Sequence, residues 1–312
     1  MTATTTAPIA APSVHTEKRP SGRMRAWATR APLLPALIFM IAVTQLPFVA
    51  TLVISFFDWN SLYPDARSFT GFGNYTEVLT DAALRKSVWT TILLTVSVVL
   101  ASLILGLGLA LLLDRKFRGR GVVRTLLIAP FLVVPVAAAL LWKHVLYNPE
   151  YGLLNGLLHY VGGPQPDWIS NTPLLAVEMS LIWQWTPFMM LILLAGLQSR
   201  DHQQIEAAKV DGAGPWQVFR YLTLPHLRRY LELGALLGSI YIVQNFDAVF
   251  TITSGGLGTA NLPYTVYQSF YQAHENGLAS AAGVLVVIGS IIIATFALRV
   301  VSSLFREEVG RA

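Results

Sequence analysis

Two groups of residues are candidates for function in a chain that is 54% apolar and only 12% charged. One group lies in a polar stretch, residues 200–228, and comprises Glu206, Ala207, Ala208, Asp211, Gly212, Leu224 and Pro225. The other group flanks that stretch and comprises Gln184, Trp185, Phe188, Tyr241, Gln244 and Asn245. Aromatic faces can stack on the C–H surface of a sugar, and an amide both donates to and accepts from hydroxyls. The second group is therefore suited to contacting an uncharged, polyhydroxylated solute.

Several catalytic chemistries are excluded by residues that the sequence lacks. It has no cysteine, so it offers no thiol nucleophile and no thiolate metal site. The six histidines are scattered without an H-E-x-x-H pair, and the Gly-Lys dipeptide of a Walker A loop never occurs. No Ser/His, paired Asp or metal-ligand cluster appears within the apolar stretches. We therefore expect no enzymatic activity and no cofactor or metal bound by this chain.

The composition predicts a membrane protein. Soluble globular proteins carry roughly 25% charged residues, about twice the fraction found here. The charge-free run from Ala31 to Phe57 is longer than a signal-peptide core of roughly 7–15 residues, so we interpret it as a membrane helix. Because roughly 20 apolar residues can cross a bilayer, five further spans are predicted at 86–113, 123–146, 173–197, 229–252 and 278–304. We expect an all-α fold of six transmembrane helices over residues 29–312, preceded by a disordered cytoplasmic arm, 1–28.

The distribution of lysine and arginine predicts the orientation of these helices. Three clusters of five basic residues occur before the first span (Lys18 to Arg30), after the second span and after the fourth span. The loops 147–172 and 253–277, which alternate with them, contain no lysine or arginine, although the first outer loop holds Arg67, Arg85 and Lys86. Basic loops stay on the cytoplasmic side. Both termini and the 200–228 stretch are therefore predicted to be cytoplasmic, and the pI near 9.5 does not indicate nucleic acid.

The 200–228 stretch is predicted to form two helices joined by a glycine turn. Asp201 can cap the first helix, which would run to Val210. Gly212 can adopt the left-handed conformation that ends a helix, and Pro215 can occupy the first turn of the next one. Leu224-Pro225 would then mark a turn into the fifth span. Such a segment is rigid enough to transmit a displacement.

The spacing within this stretch resembles the EAA loop of ABC importer permeases. That pattern is EAA, three residues, Gly, nine residues, an apolar residue, one residue and Leu-Pro, and it is met here from Glu206 to Pro225. The resemblance implies a type I importer permease fold in which residues 200–228 insert into a cleft on an ATPase subunit. By the same resemblance, Glu206 would pair with a basic group of the ATPase, Ala207 and Ala208 would permit close approach, and Gly212 would form the turn.

Other segments resemble the maltose-type carbohydrate permeases. They are Phe69-Thr70-Gly71-Phe72-Gly73-Asn74-Tyr75, Trp183 to Phe188, Asn245-Phe246-Asp247, and Thr253 to Thr259 with Leu257 where proline is usual. The likeness covers roughly residues 30–305, and Asn261-Leu262-Pro263-Tyr264 looks like the sugar-alcohol branch. A disaccharide or glycerol-phosphate branch remains open.

This resemblance also implies what the protein works with. The cargo would be a sugar or sugar alcohol. The partners would be a second homologous permease subunit, a cytoplasmic ABC ATPase dimer that binds ATP and Mg²⁺, and an extracytoplasmic solute-binding protein. Membrane lipid would surround the chain, in the cytoplasmic membrane of a prokaryote. Counted from the EAA motif, Gln184–Phe188 and Asn245 fall where the family lines its cavity.

Two alternatives remain open at the level of the sequence. Tryptophan and tyrosine gather at membrane interfaces, and buried amides often join helices, so any one of the flanking residues could be structural. An ion-coupled secondary transporter of a small neutral solute is the other alternative. It would place carboxylates near the middle of the membrane and show inverted repeats. Glu178, Glu232 and Asp247 instead fall near the ends of predicted spans.

Overall fold

The computed structural model describes residues 33–309, so the predicted arm 1–28 lies outside the described residues. The chain divides into two units, residues 1–50 and Thr51–Ala312. Helix α1, Leu34–Ile54, supplies most of the described part of the first unit, and its last residues belong to the second. It contains no charged residue and no buried residue, and it is long and apolar enough to cross a membrane, as expected of the predicted first membrane helix. Every site discussed below lies in the second unit.

The second unit is helical apart from one short strand pair. Strands β1 (Phe57–Asp58) and β2 (Ser68–Phe69) pair antiparallel. The helices that follow are α2 (Gly73–Thr80), α3 (Ala82–Asp114), α4 (Arg120–Leu132), α5 (Pro135–Leu140), α6 (Leu153–Tyr160), α7 (Trp168–Asn171) and α8 (Pro173–Gln198). The remaining helices are α9 (His202–Val210), α10 (Pro215–Val218), α11 (Leu224–Val243), α12 (Asp247–Thr253), α13 (Leu262–Tyr267) and α14 (Asn276–Val309). π-helical segments extend α5 (Leu141–Leu146), join α10 to α11 (Phe219–Thr223) and extend α13 (Gln268–Gln272).

Among the described residues, four helices are long and apolar enough to cross a membrane, or up to six if each bent pair counts as one span. The single helices are α1, α3, α8 and residues 276–296 of α14. The bent pairs are Arg120–Leu132 with Pro135–Leu146, at 97°, and Pro215–Val243 with Asp247–Thr253, at 50°. The predicted spans 123–146 and 229–252 are therefore not continuous helices, and the six predicted spans correspond to the upper count.

The two breaks have different local causes. Val134 has extended backbone angles because proline at position 135 disfavours the helical conformation of the preceding residue. No proline or glycine interrupts the other pair, at residues 244–246. There the Oδ1 of Asn245 accepts a hydrogen bond from the backbone N–H of Ala248, 3.3 Å away, and so helps to start α12. Hydropathy contains no information about either change of direction.

The core forms where α3, α8 and α11 pack together. Its fully buried side chains include Leu94, Val98, Met189, Met190, Leu193, Leu197, Leu227 and Ile242. Gly106 allows α3 and α8 to approach closely, because a Cβ on it would lie only 2.9 Å from the backbone nitrogen of Met190. Helices that meet through small residues can bring their backbones together in this way. The three helices thus form the support on which the polar segment and the flanking residues are held.

The sequence from Phe69 to Tyr75, predicted to lie in the first outer loop, has a structural role. The Asn74 side chain is buried, and its Nδ2 donates to the carbonyl oxygens of Ser55 and Phe57, each 2.9 Å away. The Tyr75 hydroxyl lies 2.6 Å from Ser55 Oγ. These bonds attach α2 to the chain that enters β1, so the asparagine and tyrosine of the motif fix this loop.

Candidate functional site

The polar stretch folds as the sequence predicts up to residue 218. The carboxylate of Asp201 caps α9 by accepting from the N–H of Gln203 at 2.9 Å. Gly212 has φ of +86° and ends the helix, with the N–H of Ala213 bonded to the Ala208 carbonyl at 2.9 Å. Pro215 stands in the first turn of α10. The helix–glycine–helix prediction is confirmed, and the stretch is a folded knob.

This knob exposes apolar surface beside its charges. The exposed fractions are 88% for Val210, 69% for Trp216 and 68% for Tyr221. A groove with a volume of about 370 Å³ lies between α9 and the helix that follows. Its lining includes Ala208, Asp211, Gly212, Ala213, Gln217 and Leu222. Glu206 and Ala207 are exposed on the same short helix. Large apolar side chains on a polar, water-facing segment are typical of a surface that docks a partner.

The predicted turn at Leu224-Pro225 is wrong. The chain from Pro215 to Val243 runs as one helix that contains the π segment Phe219–Thr223. The N–H of Leu224 donates to the carbonyl of Phe219, five residues back. Because the wider π turn has already displaced the hydrogen-bond ladder, Pro225 can follow without breaking the helix. The knob is therefore continuous with α11 rather than hinged to it.

Arg200 attaches the start of the polar stretch to three other elements. Its guanidinium forms an ion pair with Asp114 at the end of α3. It also donates from Nη1 to Thr223 Oγ1 at 2.9 Å, in the π segment, and from Nε to the Leu197 carbonyl at 2.8 Å, in α8. The side chains of Arg200 and Asp114 are 13% and 27% exposed, so the pair is largely shielded from water. Arg200 thus links the start of the knob directly to α3, α8 and the π segment.

A second set of polar contacts joins α8 to α11 at the same level. Ser199 Oγ lies 2.8 Å from the Tyr230 hydroxyl and 3.1 Å from His226 Nε2. The same histidine nitrogen lies 3.1 Å from the Gly196 carbonyl. These contacts add to the rigidity that Arg200 provides at the base of the knob.

Four aromatic rings form a cluster, which we call the aromatic wall: Phe131 of α4, Trp185 and Phe188 of α8, and Tyr241 of α11. Trp185 stacks on Tyr241, with ring centroids 5.3 Å apart and planes at 28°. Phe188 stacks on Phe131 at 5.2 Å and 24°, and meets Trp185 edge-on at 5.8 Å. Tyr241 is 55% exposed and forms the accessible edge of the wall. All three aromatic residues predicted on spans four and five, Trp185, Phe188 and Tyr241, thus come together.

The predicted amides lie at the helix breaks beside this wall. Gln184 is buried, and its Nε2 donates to the Val133 carbonyl at 3.1 Å, a group freed by the break between α4 and α5. Gln244 and Asn245 follow the end of α11 at Val243, and both lie in the second break. Gln244 is exposed, whereas the backbone carbonyl of Asn245 accepts from Asn261 Nδ2 at 2.6 Å.

The acids near the spans are bonded to other parts of the protein. Glu178 Oε1 accepts from Ser97 Oγ at 2.6 Å and joins α8 to α3. Glu232 forms an ion pair with Arg228 one turn earlier on α11. Both contacts agree with the expectation that these acids are structural. No group of three His, Cys, Asp or Glu side chains that could hold a metal ion occurs within residues 33–309.

Three contributors to these sites were missed by sequence reasoning. Phe131 was overlooked because only spans four and five were searched for solute contacts, although an aromatic residue next to Pro130 was visible there. Arg200 was counted only among the basic residues after the fourth span, and Asp114 was not singled out. Their pairing joins positions 86 residues apart, and no local pattern in the sequence signals it.

Comparison with known proteins identifies a family that matches this chain. Residues 102–307 match the family described as binding-protein-dependent transport system inner membrane component. The chain is 35% identical over 292 residues to a probable ABC transporter permease protein of Sinorhizobium fredii, covering 92% of this chain and 93% of the relative. It is 32% identical over 260 residues to the trehalose/maltose transport system permease protein MalF of Thermococcus litoralis, covering 82% and 87%.

A solved structure shares the fold. It is the bacterial alginate ABC transporter in complex with an alginate pentasaccharide-bound periplasmic protein, matched with a TM-score of 0.77 over 90% of this chain and 96% of that chain. The identity is 20%, so this likeness shows the architecture and nothing about cargo.

Proposed function

Because the chain belongs to the family of inner membrane components of binding-protein-dependent transport systems, we propose that it conducts an uncharged carbohydrate, a sugar or sugar alcohol, past the aromatic wall. It is a multi-pass permease subunit of the cytoplasmic membrane, with the fold of an ABC importer permease. The observation that carries the proposal is the stack of Trp185 on Tyr241, 5.3 Å apart, with 55% of the tyrosine exposed. Support also comes from a relative named for trehalose and maltose transport.

The aromatic wall and the second helix break would contact such a solute in different ways. Phe188, Trp185 and Tyr241 would offer ring faces to C–H surfaces, and Gln244 and Asn245 would offer uncharged hydrogen-bonding groups at the second break. Gln184 would act indirectly, because its amide holds the Val133 carbonyl and so fixes α4 against α8. A neutral cargo explains why the wall contains no formal charge, which would be costly in the middle of a membrane.

The knob at residues 200–228 is the proposed docking site for a separate ATPase subunit. Its exposed Val210, Trp216 and Tyr221 and the groove beside Gly212 support this assignment. Glu206 would pair with a basic group of the ATPase, and Ala207, Ala208 and Asp211 would lie at the contact. ATP and Mg²⁺ would bind to that partner, because this chain has no Walker A loop. Closure of an ATPase dimer would then displace the knob together with α11, since the second helix of the knob continues into α11.

Two further partners complete the proposed importer. A second homologous permease subunit would face this chain and enclose the solute path with it. An extracytoplasmic solute-binding protein would deliver the cargo from the side of α13 and the loops around it. The alternative of an ion-coupled secondary transporter is not favoured, because the family is one of binding-protein-dependent permeases and Glu178 is bonded to Ser97.

The test is ATP hydrolysis and uptake by the purified importer in proteoliposomes. We expect binding protein loaded with a neutral sugar or polyol to stimulate hydrolysis and vanadate to abolish uptake. Binding protein loaded with an anionic sugar acid serves as the matched control and should give little stimulation. Uptake that resists vanadate but collapses with an uncoupler would assign the chain to the secondary transporters instead.

A further inference from the structure

A strongly basic surface lies between α3 and α4, and nothing in the proposed transport cycle uses it. The ten residues 115–124, which we call the basic elbow, contain five cations: Arg115, Lys116, Arg118, Arg120 and Arg124. Four of them are exposed and Arg120 is half-buried. Among the described side chains none lies within ion-pair distance of these five, and Asp114, the adjacent acid, is paired with Arg200. The elbow therefore presents positive charge that the described protein does not neutralise.

The basic elbow also carries exposed apolar side chains. Phe117, between two of the cations, is 44% exposed, and Val122 and Leu126 at the start of α4 are 67% and 68% exposed. Helix α4 contains no buried residue. A loop that met only water would expose this apolar surface at a cost in free energy. Cations interleaved with outward apolar side chains match instead the boundary between headgroups and acyl chains.

The position of the elbow along the chain agrees with that boundary. Helix α3 has 33 residues and ends at Asp114, and α4 begins at Arg120 as the first half of a bent pair that is together long and apolar enough to cross a membrane. The elbow thus joins two membrane-crossing elements and lies at the level where they leave the acyl region. On the basic-loop rule this is the cytoplasmic leaflet, whose surface carries the negative potential of its anionic lipids.

We propose that the basic elbow binds the phosphate groups of anionic phospholipids in the cytoplasmic leaflet, with Phe117, Val122 and Leu126 inserted among the acyl chains. Guanidinium groups bind phosphate oxygens in pairs, which suits the three exposed arginines. Each basic residue near an anionic membrane surface strengthens binding about fivefold at low salt. The lipid would hold the α3–α4 junction next to Asp114 and Arg200, at the base of the knob.

The absence of cysteine from the sequence makes this proposal directly measurable. Gly121→Cys introduces one label in the elbow, where an added Cβ meets no atom within 4 Å. The labelled importer is reconstituted in vesicles that contain brominated phosphatidylglycerol or brominated phosphatidylcholine, and quenching of the label reports which lipid is adjacent. We expect phosphatidylglycerol to be preferred by at least about fivefold, with the preference declining as salt is raised.

Two variants identify the responsible side chains. K116Q/R118Q/R124Q should bring the two lipids close to parity, whereas R67Q/R85Q/K86Q, which removes the same charge from the outer loop, should leave the preference unchanged. Equal quenching by the two lipids in the Gly121→Cys protein, or a preference that survives K116Q/R118Q/R124Q, overturns the proposal. A preference that is present in the permease alone and disappears when ATPase subunits are added assigns the elbow to a protein partner and also overturns it. The dependence of quenching on salt and on the lipid headgroup is measured in the Gly121→Cys protein without any charge variant. It therefore tests the proposal even if the triple variant fails to insert.

Discussion

At Gly212 the backbone angle φ of +86° belongs to the region that glycine enters readily and other residues enter at a cost of about 1–2 kcal/mol. The turn at this position sets the angle between α9 and α10. Only two residues further on, Gly214 has φ of −70°, which any residue can adopt. The two glycines therefore provide a matched pair for testing whether the turn matters.

We expect Gly212→Pro to insert normally but to uncouple ATP hydrolysis from uptake, because proline fixes φ near −65°. Gly212→Ala should show a weaker form of the same defect. Gly214→Ala is the control and should transport normally, since its Cβ would lie 3.7 Å from Gln217 Oε1. The measurement is the ratio of solute transported to ATP hydrolysed in proteoliposomes. Full coupling in Gly212→Pro would remove the turn from the mechanism.

Glu206 provides a second test of the knob. It is exposed on α9, so a substitution there should not disturb folding. We expect Glu206→Lys to weaken binding of the ATPase at least about tenfold, because it replaces a charge-assisted hydrogen bond with like-charge repulsion. Co-purification of the ATPase with the permease measures this. Lys209→Glu on the same helix is the charge-reversal control, and an equal loss in both variants would show that any charge reversal on α9 disturbs docking, so that Glu206 has no particular role.

Leu257 has an unusual backbone conformation for a large side chain. Its φ is +54° and its side chain is 64% exposed, so it gains little packing in return. We expect Leu257→Gly to raise the free energy of unfolding by about 1 kcal/mol, since glycine adopts this conformation without strain. Leu257→Pro should destabilise the loop because proline cannot reach positive φ. Thermal unfolding of the purified protein measures both, and a more stable Leu257→Pro would show that the loop rearranges.

At the scale of elements, Arg200 is one of the residues that connect the knob to the bundle. We expect Arg200→Gln to cost about 2 kcal/mol, because it leaves the shielded carboxylate of Asp114 without a cation and removes two further bonds. Coupling should fall more than ATPase binding, which depends on the exposed side of the knob. Arg229→Gln, at an exposed position on α11, is the matched control. If Arg200→Gln moved as many solute molecules per ATP as the wild type, Arg200 would have no role in coupling.

The aromatic wall gives a prediction about the solute path. We expect Trp185→Ala to reduce uptake about tenfold, because it removes the ring that contacts both Tyr241 and Phe188. Asn245→Leu should also reduce uptake. Stimulation of ATP hydrolysis by loaded binding protein should largely survive in both, since docking and coupling occur at the two membrane faces. Trp89→Ala, at a 64% exposed position on α3, is the control. Normal transport by Trp185→Ala and Asn245→Leu would make these residues structural.

The sequence predicted α9, its cap and the glycine turn because each depends on residues within a few positions of one another. Apolar runs likewise located α1, α3, α8 and α14. The breaks at Val133–Val134 and at 244–246 were not predicted, because mean hydropathy does not change where a helix changes direction. Pro135 was a visible signal for the first break. The turn expected at Leu224-Pro225 was wrong because a π segment upstream accommodates the proline, and no sequence rule used here detects one.

For the whole molecule, the orientation in the membrane remains a prediction from the basic clusters. A reporter fused after residue 160 should be active only outside the cytoplasm, and the same reporter fused after residue 215 only inside. The basis is that 147–172 holds no lysine or arginine while 200–229 holds five. A fusion after residue 118, in the basic elbow, should agree with the fusion after residue 215. The reverse pattern would invert the topology and place the knob away from any cytoplasmic ATPase.

The π segment Phe219–Thr223 has a consequence for rotation about the helix axis. A π turn holds one residue more than an α turn, and each residue of an α-helix turns the chain by about 100°. The direction in which Trp216 projects is therefore offset by about that angle from the direction it would take on an uninterrupted α-helix leading to Tyr241. Deleting one residue between Phe219 and Thr223 would restore regular helix and turn the knob about 100° against the wall, with the residues of both surfaces unchanged. The extra residue of the π segment therefore sets the angle about the helix axis between the knob and the aromatic wall.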